Sequence, residues 1–255
     1  PRSTLFPYTT LFRSPPTRFI GNQAGLSNGA GGAIALMEAC AGTISHAVLA
    51  SNRAVNGGAI AVQDAAVQLE NLVIVQNRAD NVGAGMMIVF PRNQPLVRQC
   101  TLADNDKYGC EIGGGTAVFQ NCIFWGNVSS QITPWSDTAM VSYCCVEGGY
   151  AGAGNIDSNP VFVAAAMLNY DIAADSPCRD SGMNLPAVTN DCIGTPRPYG
   201  PAWDMGAYEF VPEPGGWGML GLFTIYTLQF TIGRRKRRQC MNAPCQPLTS
   251  TRSDT

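Results

Sequence analysis

Residues Ala47 to Val62, with the sequence AVLASNRAVNGGAIAV, decide the fold of this chain. An apolar strand is followed by a polar corner at Asn52 and by the turn Gly57-Gly58-Ala59-Ile60, which opens a second strand. The same pattern recurs at steps of 22 to 30 residues, and its corners are Asn22, Asn52, Asn77, Asn105 and Asn127. Repetition at this period predicts a solenoid, in which each repeat buries its apolar side chains against its neighbours.

Two apolar columns precede the corner asparagines. Three residues before the asparagine stand Phe19, Leu49, Ile74, Leu102 and Phe124. Five residues before it stand Ala47, Leu72, Cys100 and Cys122, and a sixth strand, with Gly149 at its corner, adds Cys144 and Val146. Side chains two residues apart share one face of a strand, so both columns are predicted to point inward. Asparagine tolerates the left-handed conformation that a corner requires, and stacked amides can hydrogen-bond to each other.

This pattern resembles the right-handed parallel β-helix, and within that class the polymorphic outer-membrane repeat. The resemblance rests on Gly-Gly-Ala-Ile turns and Phe-x-x-Asn segments, found at residues 31–34, 57–60, 19–22 and 124–127. Two middle repeats depart from it, with Ala84-Gly85-Met86 and Gly113-Gly114-Gly115 in place of Gly-Gly-Ala. The resemblance implies an all-β fold with rungs of about 22–30 residues.

Residues 150–211 change in character and resemble the C-terminal part of the bacterial choice-of-anchor Q family of surface β-helix proteins. The resemblance is carried by Glu147-Gly148-Gly149-Tyr150, Asn159-Pro160-Val161-Phe162-Val163, Asn169-Tyr170-Asp171-Ile172, Ser176-Pro177, Asp180-Ser181-Gly182, Arg197-Pro198 and Asp204-Met205-Gly206-Ala207-Tyr208-Glu209. Departures are Cys178-Arg179, where small or apolar residues are usual, and Ala164, where aspartate is common. It implies that β-helix rungs occupy residues 15–149 and that residues 150–211 form an irregular C-terminal cap.

The cap region is rich in proline and in carboxylates. Proline cannot extend a stacked strand, so the region is predicted to cap the last rung and to stop edge-to-edge growth, through Pro177, Pro196, Pro198 and Pro201. The pairs Asp180/Asp204 and Asp204/Glu209 could be catalytic carboxylates. The favoured interpretation is that they are hydrogen-bonded carboxylates of turns.

Residues 212–238 resemble the PEP-CTERM sorting signal. The motif Pro212-Glu213-Pro214 precedes a hydrophobic span at 218–233, and the basic cluster that follows consists of Arg234, Arg235, Lys236, Arg237 and Arg238. As a helix the span reaches ~24 Å against a bilayer core of ~30 Å, which predicts a short transmembrane helix that anchors only transiently. The basic cluster keeps its own end inside the cell. A buried core helix followed by a solvated charge run is the alternative.

The sorting resemblance implies an exosortase-type sorting protease as a partner. It also implies export to the cell surface or the extracellular matrix, with a transient anchor in the inner membrane.

The two ends of the sequence say less about fold and function. Residues 1–14, PRSTLFPYTTLFRS, resemble the translation of a common sequencing adapter at every position, and a natural N-terminal arm is the alternative. We therefore expect a true signal peptide and earlier rungs to be missing, and residues 239–255 match no pattern.

Charge weighs against nucleic acid as a partner. The chain has 16 Lys and Arg and 18 Asp and Glu, but seven of the basic and 17 of the acidic residues lie between Phe19 and Gly233. That region therefore carries a net charge of about −10. Proteins that bind nucleic acid present a positively charged surface to it, so this charge argues against such a partner.

Ten cysteines raise the question of disulfides. The column Cys100, Cys122 and Cys144 is interpreted as free buried thiols that behave as small apolar side chains, although neighbours on strands ~4.8 Å apart could bridge. Cys178 and Cys192 flank a loop, and they are the candidate disulfide of an exported protein.

Function is predicted in two classes. A structural, adhesive or polysaccharide-binding module is favoured, and a polysaccharide lyase or glycoside hydrolase is the alternative. Enzymes of that kind need clustered carboxylates with a base beside them. His46 is the one histidine and is predicted to face outward, and the carboxylates do not repeat at the rung period. We therefore predict no catalytic residues and no cofactor.

Two further features bear on ligands. The segment Asp104-Asn105-Asp106 suggests a calcium loop, but Gly115 stands where the twelfth-position glutamate would be, so no metal site is predicted. Extracellular polysaccharide is the candidate ligand. Trp125, Trp135 and Tyr143 are candidate sugar-stacking residues, and packing in the core or in loops is the alternative for each.

Overall fold

The computed structural model describes residues 16–25, 29–38, 40–135 and 138–212. Their regular structure is all-β, apart from one turn of 3-10 helix at Ala165–Met167. No helix in these ranges is long and apolar enough to span a membrane. Outside the described residues lie 1–14, the predicted span 218–233, the tail 239–255 and, of the sorting motif, Glu213, Pro214, Arg234, Arg235, Lys236, Arg237 and Arg238.

Each turn of the solenoid passes through three flat faces of parallel strands. Face 1 consists of β1 (Thr17–Ile20), the second halves of β3 (Ala41–Ala50) and β6 (Ala66–Val75), β10 (Thr101–Ala103), β13 (Ile123–Trp125) and β16 (Cys145–Val146). Face 2 consists of β2 (Ile34–Met37), β5 (Ile60–Gln63), β8 (Met86–Val89), β11 (Tyr108–Gly113) and β14 (Ser130–Pro134). Face 3 consists of the first halves of β3 and β6, β9 (Leu96–Arg98), β12 (Thr116–Gln120) and β15 (Thr138–Ser142). A short pair, β4 (Arg53–Asn56) and β7 (Arg78–Val82), leads from face 1 to face 2.

The strand register confirms the predicted columns and the β-helix fold. On face 1, Leu49 pairs with Ile74, Ile74 with Leu102, and Leu102 with Phe124. The register extends to Phe19 at one end and to Val146 at the other. Apolar side chains from the three faces meet in one core that runs along the axis, as expected when each rung is buried by its neighbours.

The corner asparagines form a hydrogen-bonded ladder, as predicted. Oδ1 of Asn77 accepts from the backbone nitrogen and from Nδ2 of Asn52, at 2.9 and 3.0 Å. Nδ2 of Asn77 donates to Oδ1 of Asn105 at 3.0 Å and to the carbonyl of Leu49 at 2.9 Å. The amide-to-amide bonds continue from Asn22 to Asn127, so buried corner groups are paired at every step.

The left-handed residue of each corner is not the asparagine, which corrects the prediction. It is the residue immediately before, and the positive φ angles belong to Gly21, Ser51, Gln76, Asp104 and Gly126. The turn made at that residue leaves the next side chain pointing inward, where the amide can enter the ladder. The corner between faces 3 and 1 uses the same device, at His46, Asn71, Gln99, Asn121 and Tyr143.

Residues 147–158 close the end of the solenoid. Oδ1 of Asn155 accepts a 2.9 Å hydrogen bond from the backbone nitrogen of Cys144. Ile156 forms a parallel bridge with Cys145, and Tyr150 packs against the axial core. The last rung is therefore capped by this short stretch, which contains none of the prolines that were predicted to cap it.

Residues 159–210, here called the lateral segment, lie against the outer surface of face 1. They include the antiparallel pair β17 (Phe162–Ala164) and β18 (Asn169–Ile172). Tyr170, Cys192 and Ala207 cover side chains that point outward from face 1, which are Val48, Ala50, Val73, Val75 and Ala103. The proline-rich region thus covers a side of the solenoid and not its end. The reason is that both surfaces of face 1 are apolar, and such a sheet needs a covering layer on each.

Candidate functional site

The carboxylates of the candidate catalytic pairs accept hydrogen bonds within the lateral segment. Oδ1 of Asp204 accepts from the backbone nitrogen of Asp180 at 2.7 Å, and Oδ2 accepts from that of Phe210 at 2.5 Å. Oε1 of Glu209 accepts from Nη1 of Arg197 at 2.8 Å and from the backbone nitrogen of Asp204 at 3.1 Å. These contacts support the interpretation of the pairs as carboxylates that hold turns.

Burial dominates the electrostatics of this cluster. The side chains of Arg197 and Glu209 are 0% and 1% exposed. Burial raises the pKa of both Asp204 and Glu209, and the nearby Arg197 guanidinium partly lowers them again. Burial also lowers the pKa of Arg197, against the pull of the carboxylates. The cluster therefore fixes the fold of the lateral segment around one compensated buried cation.

The one histidine stands apart from these groups. His46 is half-buried at the left-handed corner between faces 3 and 1, one residue before Ala47 of the inward column. Among the described residues, no group of three or more His, Cys, Asp or Glu side chains could hold a metal ion.

The three candidate sugar-stacking residues are not brought together. Trp125 and Tyr143 are partly buried and pack around the cluster that contains Ile123. Trp135 lies elsewhere, at the end of face 2, and is 54% exposed. Packing is thus the role of the first two, and Trp135 alone remains available at the surface.

Trp135 belongs to a different cluster, which we call the ring platform. Three consecutive glycines at the corner between faces 2 and 3 are each covered by a ring, with Trp135 over Gly113, Phe90 over Gly114 and Pro91 over Gly115. A Cβ atom at Gly113 would lie 2.5 Å from Cε3 of Trp135, and one at Gly115 would lie 2.9 Å from Cδ of Pro91. A Cβ at Gly114 would come closer still to the ring of Phe90. Only glycine leaves room for these rings so close to the backbone.

The register explains how the rings meet. Val89 pairs with Gly113, so Phe90 lies one rung before Gly114, and the pairing of Ile112 with Pro134 places Trp135 one rung after Gly113. Rings from the rungs on either side therefore share one glycine floor. The three glycines end β11 and lead into face 3. They are not the counterpart of the Gly57-Gly58-Ala59 turn, because the register aligns that turn with Gly83, Ala84 and Gly85.

The indole of Trp135 is held in place by a buried carboxylate. Nε1 of Trp135 donates to Oε1 of Glu111 at 2.5 Å, and Oε2 of Glu111 accepts from the backbone nitrogen of Gly83 at 2.9 Å. Glu111 is only 4% exposed, since the indole covers it. Phe90 remains 62% exposed beside it. The platform therefore presents two aromatic surfaces to solvent, one of them with a fixed orientation.

Face 3 carries an apolar row of its own. Leu96, Val118 and Met140 stand in register on neighbouring strands and point outward. Met140 is 54% exposed, and its sulfur lies 3.5 Å from Nε2 of Gln94. The row adds apolar surface to face 3, on the strands that follow the glycine corner.

The sequence pattern missed Phe90 and the glycine floor. The signal that identifies them is the register, because an aromatic residue precedes the triglycine by one rung and another follows it by one rung. In the sequence the triglycine resembles a degraded Gly-Gly-Ala turn, and only the strand alignment reveals its relationship to the two aromatic residues.

The structure does not bring together Cys178 and Cys192, the predicted disulfide pair. Both thiols are free and buried, and they belong to separate clusters under the lateral segment. Cys192 packs with Val48 and Val73, whereas Cys178 packs with Cys145 and Met205. The loop between them spreads the two cysteines over different rungs. Cys100, Cys122 and Cys144 are free and buried in the axial core, as predicted.

Comparison with known proteins agrees with this architecture. Residues 20–146 match the family model described as the right handed beta helix region. The chain has no significant match among curated proteins. By geometry and by the family match, residues 20–146 form a right-handed parallel β-helix.

Proposed function

We propose that this chain is an exported bacterial surface or extracellular-matrix protein whose β-helix binds a neutral polysaccharide on the ring platform. The observation that carries the binding function is that Phe90 and Trp135 are held over adjacent glycines while both remain more than half exposed. Large aromatic surfaces left exposed on a rigid scaffold are typical of recognition sites.

The platform suits a sugar ring. One face of a pyranose is lined by C–H groups, and removing such apolar surface from water contributes roughly 25 cal/mol per Å². The bond from Trp135 to Glu111 fixes the indole before a ligand arrives, which reduces the side-chain entropy lost on binding. The row at Leu96, Val118 and Met140 provides further apolar contact for a polymer longer than one unit.

Charge favours a neutral polymer over an acidic one. The region between Phe19 and Gly233 carries a net charge of about −10, which repels polyanions. The charged pair beside Phe90 is already compensated, since Nη2 of Arg92 lies 2.9 Å from Oδ2 of Asp64. Among the described residues of this corner, the cation Arg92 is thus already paired with Asp64 and is not free for a uronic acid.

A carbohydrate-active enzyme is the less supported function. β-Helices serve enzymes and non-enzymes alike, so the fold does not decide between them. The carboxylates that could have formed a catalytic site, Asp180, Asp204 and Glu209, each accept a hydrogen bond from a backbone nitrogen of the lateral segment. No second observation in the described residues favours catalysis.

Export and sorting form the second part of the proposal. They rest on the PEP-CTERM-like order of Pro212-Glu213-Pro214, an apolar span and five basic residues, Arg234 to Arg238. The basic cluster does not readily cross a bilayer, so the β-helix would be left on the outer side and released by an exosortase-type protease. The short span carries several Gly and Thr residues, which favours a transient anchor over a permanent one.

Co-sedimentation with insoluble polysaccharides tests the binding function. We expect the protein to bind a neutral glucan and not to bind alginate. Trp135→Ala and Phe90→Ala should each weaken glucan binding at least tenfold. Tyr199→Ala removes an aromatic ring that is 50% exposed on the lateral segment and should change nothing. Binding that survives both platform substitutions would contradict the proposal, and turnover abolished by Asp204→Asn would favour the enzyme.

A glycine pair provides a sharper control. Gly114 and Gly194 both have positive φ, at +73° and +88°, but only Gly114 has a ring where its Cβ would go. Both alanine variants place a side chain on a backbone of positive φ and are strained for that reason. Only Gly114→Ala should lose glucan binding, because it displaces the ring of Phe90.

The sorting function is tested by expression in two hosts, one with an exosortase and one without. We expect the mature protein to lack Arg234 to Arg238 only where the exosortase is present. Retention of these residues in both hosts would mean that the segment is a plain anchor.

A further inference from the structure

Two cysteines meet where the lateral segment crosses the last rung. Cys145 lies on β16, paired with Ile123 of the rung before and bridged to Ile156. Cys178 lies in the lateral segment, and its carbonyl accepts a 2.9 Å hydrogen bond from the backbone nitrogen of Met205. Both residues are buried in one apolar cluster with Ile123, Ile172 and Met205, and each thiol is near enough to shift the pKa of the other.

We propose that Cys145 and Cys178 form a disulfide in the exported protein, which fastens the lateral segment to the last rung. The inference builds on the export proposed above, because an oxidising compartment is where such a bond persists. It replaces the pairing of Cys178 with Cys192, which the fold keeps in separate clusters.

Local contacts prepare the pair for this bond. The backbone nitrogen of Cys178 donates to Oγ of Ser176 at 3.1 Å, and the thiol of Cys145 lies 3.0 Å from the carbonyl oxygen of Ser158. Both residues are therefore held by fixed backbone on either side of the contact. The hydrogen bond from Cys178 lowers the pKa of Cys145, which makes Cys145 the attacking thiol.

The chemistry is thiol–disulfide exchange with a low-molecular-weight disulfide such as oxidised glutathione, or with an oxidised thiol-disulfide oxidoreductase. The thiolate of Cys145 attacks one sulfur of the oxidant, and the oxidant's own S–S bond breaks to release one thiolate. The thiolate of Cys178 then attacks the Cys145 sulfur of the mixed disulfide and releases the second. The two protons of the protein thiols end on the two thiols released, so the cysteines are oxidised and the oxidant is reduced.

The cysteine column of the axial core is the competing site. Cys100, Cys122 and Cys144 lie in the axial core, and the backbone nitrogen of Cys122 donates to the sulfur of Cys144 at 3.2 Å. These residues face each other on parallel strands, whose spacing of ~4.8 Å exceeds the usual Cβ separation of ~3.8 Å in a disulfide. A bond there would pull two rungs together. Cys145 and Cys178 come from separate parts of the chain and meet only when the lateral segment docks, so their thiols are accessible until that step.

Refolding of the purified, reduced chain with and without a glutathione redox buffer tests the proposal. We expect peptide mass spectrometry of the oxidised, folded protein to find Cys145 linked to Cys178 with the loss of two hydrogen atoms. Because Cys144 and Cys145 share a peptide, Cys144→Ala is included and should keep the link. The oxidised protein should melt several degrees higher than the reduced one.

Variants identify the bond independently of the peptide map. Cys178→Ser and Cys145→Ser should each abolish the redox dependence of the melting temperature, whereas Cys192→Ser should retain it. A folded, oxidised protein with Cys145 and Cys178 still free, or with Cys178 linked to Cys192, would overturn the proposal. Refolding in vitro does not involve export, so a failed sorting experiment and a missing disulfide are separate results.

Discussion

The phenolic oxygen of Tyr170 donates a 2.7 Å hydrogen bond to Oδ2 of Asp104. Tyr170 belongs to the lateral segment, and Asp104 is the left-handed corner residue before a ladder asparagine. The bond therefore ties the covering layer to the corner of a rung. Burial and the bond to Asp104 both raise the pKa of Tyr170, so the phenol stays protonated and donates at physiological pH.

Tyr170→Phe should lower the free energy of unfolding by about 1–2 kcal/mol, the usual contribution of such a hydrogen bond. The phenyl ring keeps its edge-to-face contact with Phe162, whose centroid lies 5.0 Å away, so packing is preserved. Urea unfolding followed by circular dichroism measures the change. Tyr199→Phe is the control, because Tyr199 is half exposed, and an equal loss in both variants would contradict the assignment.

Asn77→Ala should be severely destabilising. It removes the acceptor of two bonds from Asn52 and the donor to Leu49, and it leaves these groups buried without partners. We expect a loss of about 3 kcal/mol or more in urea unfolding. Asn81→Ala removes an exposed amide that bonds to Asn56 and should cost less than about 0.5 kcal/mol. Similar losses for the two variants would show that the ladder adds little stability.

Thiol reactivity should separate Cys40 from the other cysteines of the described region. Cys40 is exposed, whereas the other seven free thiols there are buried. Burial raises the pKa of Cys192 to about 12, so almost no reactive thiolate exists at neutral pH. In the reduced protein, Cys40→Ser should remove one fast-reacting equivalent in a colorimetric thiol assay. Cys192→Ser should remove none, and fast reaction of Cys192 would mean that the lateral segment opens readily.

Arg197→Met should destabilise the protein in a pH-dependent way. Burial raises the pKa of Asp204 and Glu209 and the Arg197 charge lowers them, so removing the cation raises both further. A carboxyl whose pKa is higher in the folded than in the unfolded protein stabilises the fold at pH values below its unfolded pKa of about 4. That stabilisation is lost as the pH rises through the folded pKa. The variant should therefore lose about 3–5 kcal/mol at pH 7 and less at about pH 4.

Urea unfolding of wild type and variant at the two pH values measures this difference. Arg179→Met is the control, because Arg179 is 39% exposed beside Asp180 and its loss should be small at both pH values. A loss for Arg197→Met that does not change with pH would show that the carboxylates are not the cause.

The repeats could be predicted from the sequence because they are local and periodic. The Asn52 corner and the Leu49 column follow from spacing alone, and hydrogen bonds and register confirm them. The path of the lateral segment could not be predicted from the sequence. It depends on contacts such as the one between Cys192 and Ala47, which are 145 residues apart. A clue was nevertheless present, since Val48 and Val73 make face 1 apolar on both surfaces.

The ring platform could be predicted only in part from the sequence. Trp135 was a candidate from its residue type alone, but Phe90 becomes its neighbour only through the strand register. The register in turn depends on loop lengths, which vary from rung to rung. The platform also requires Phe90 and Trp135 to be exposed to solvent. Their exposure depends on which faces of the solenoid the rest of the chain covers.

The lateral segment changes how the whole solenoid should unfold. In a simple repeat protein each rung contacts only its neighbours, so unfolding can begin at an end and proceed rung by rung. Here one segment contacts rungs from Val48 to Cys145, and no rung under it can leave without breaking that layer. The covered rungs are therefore expected to unfold together in one cooperative transition and not one by one from an end. Folding is expected to be slower, because the contacts between the lateral segment and the rungs join distant parts of the chain.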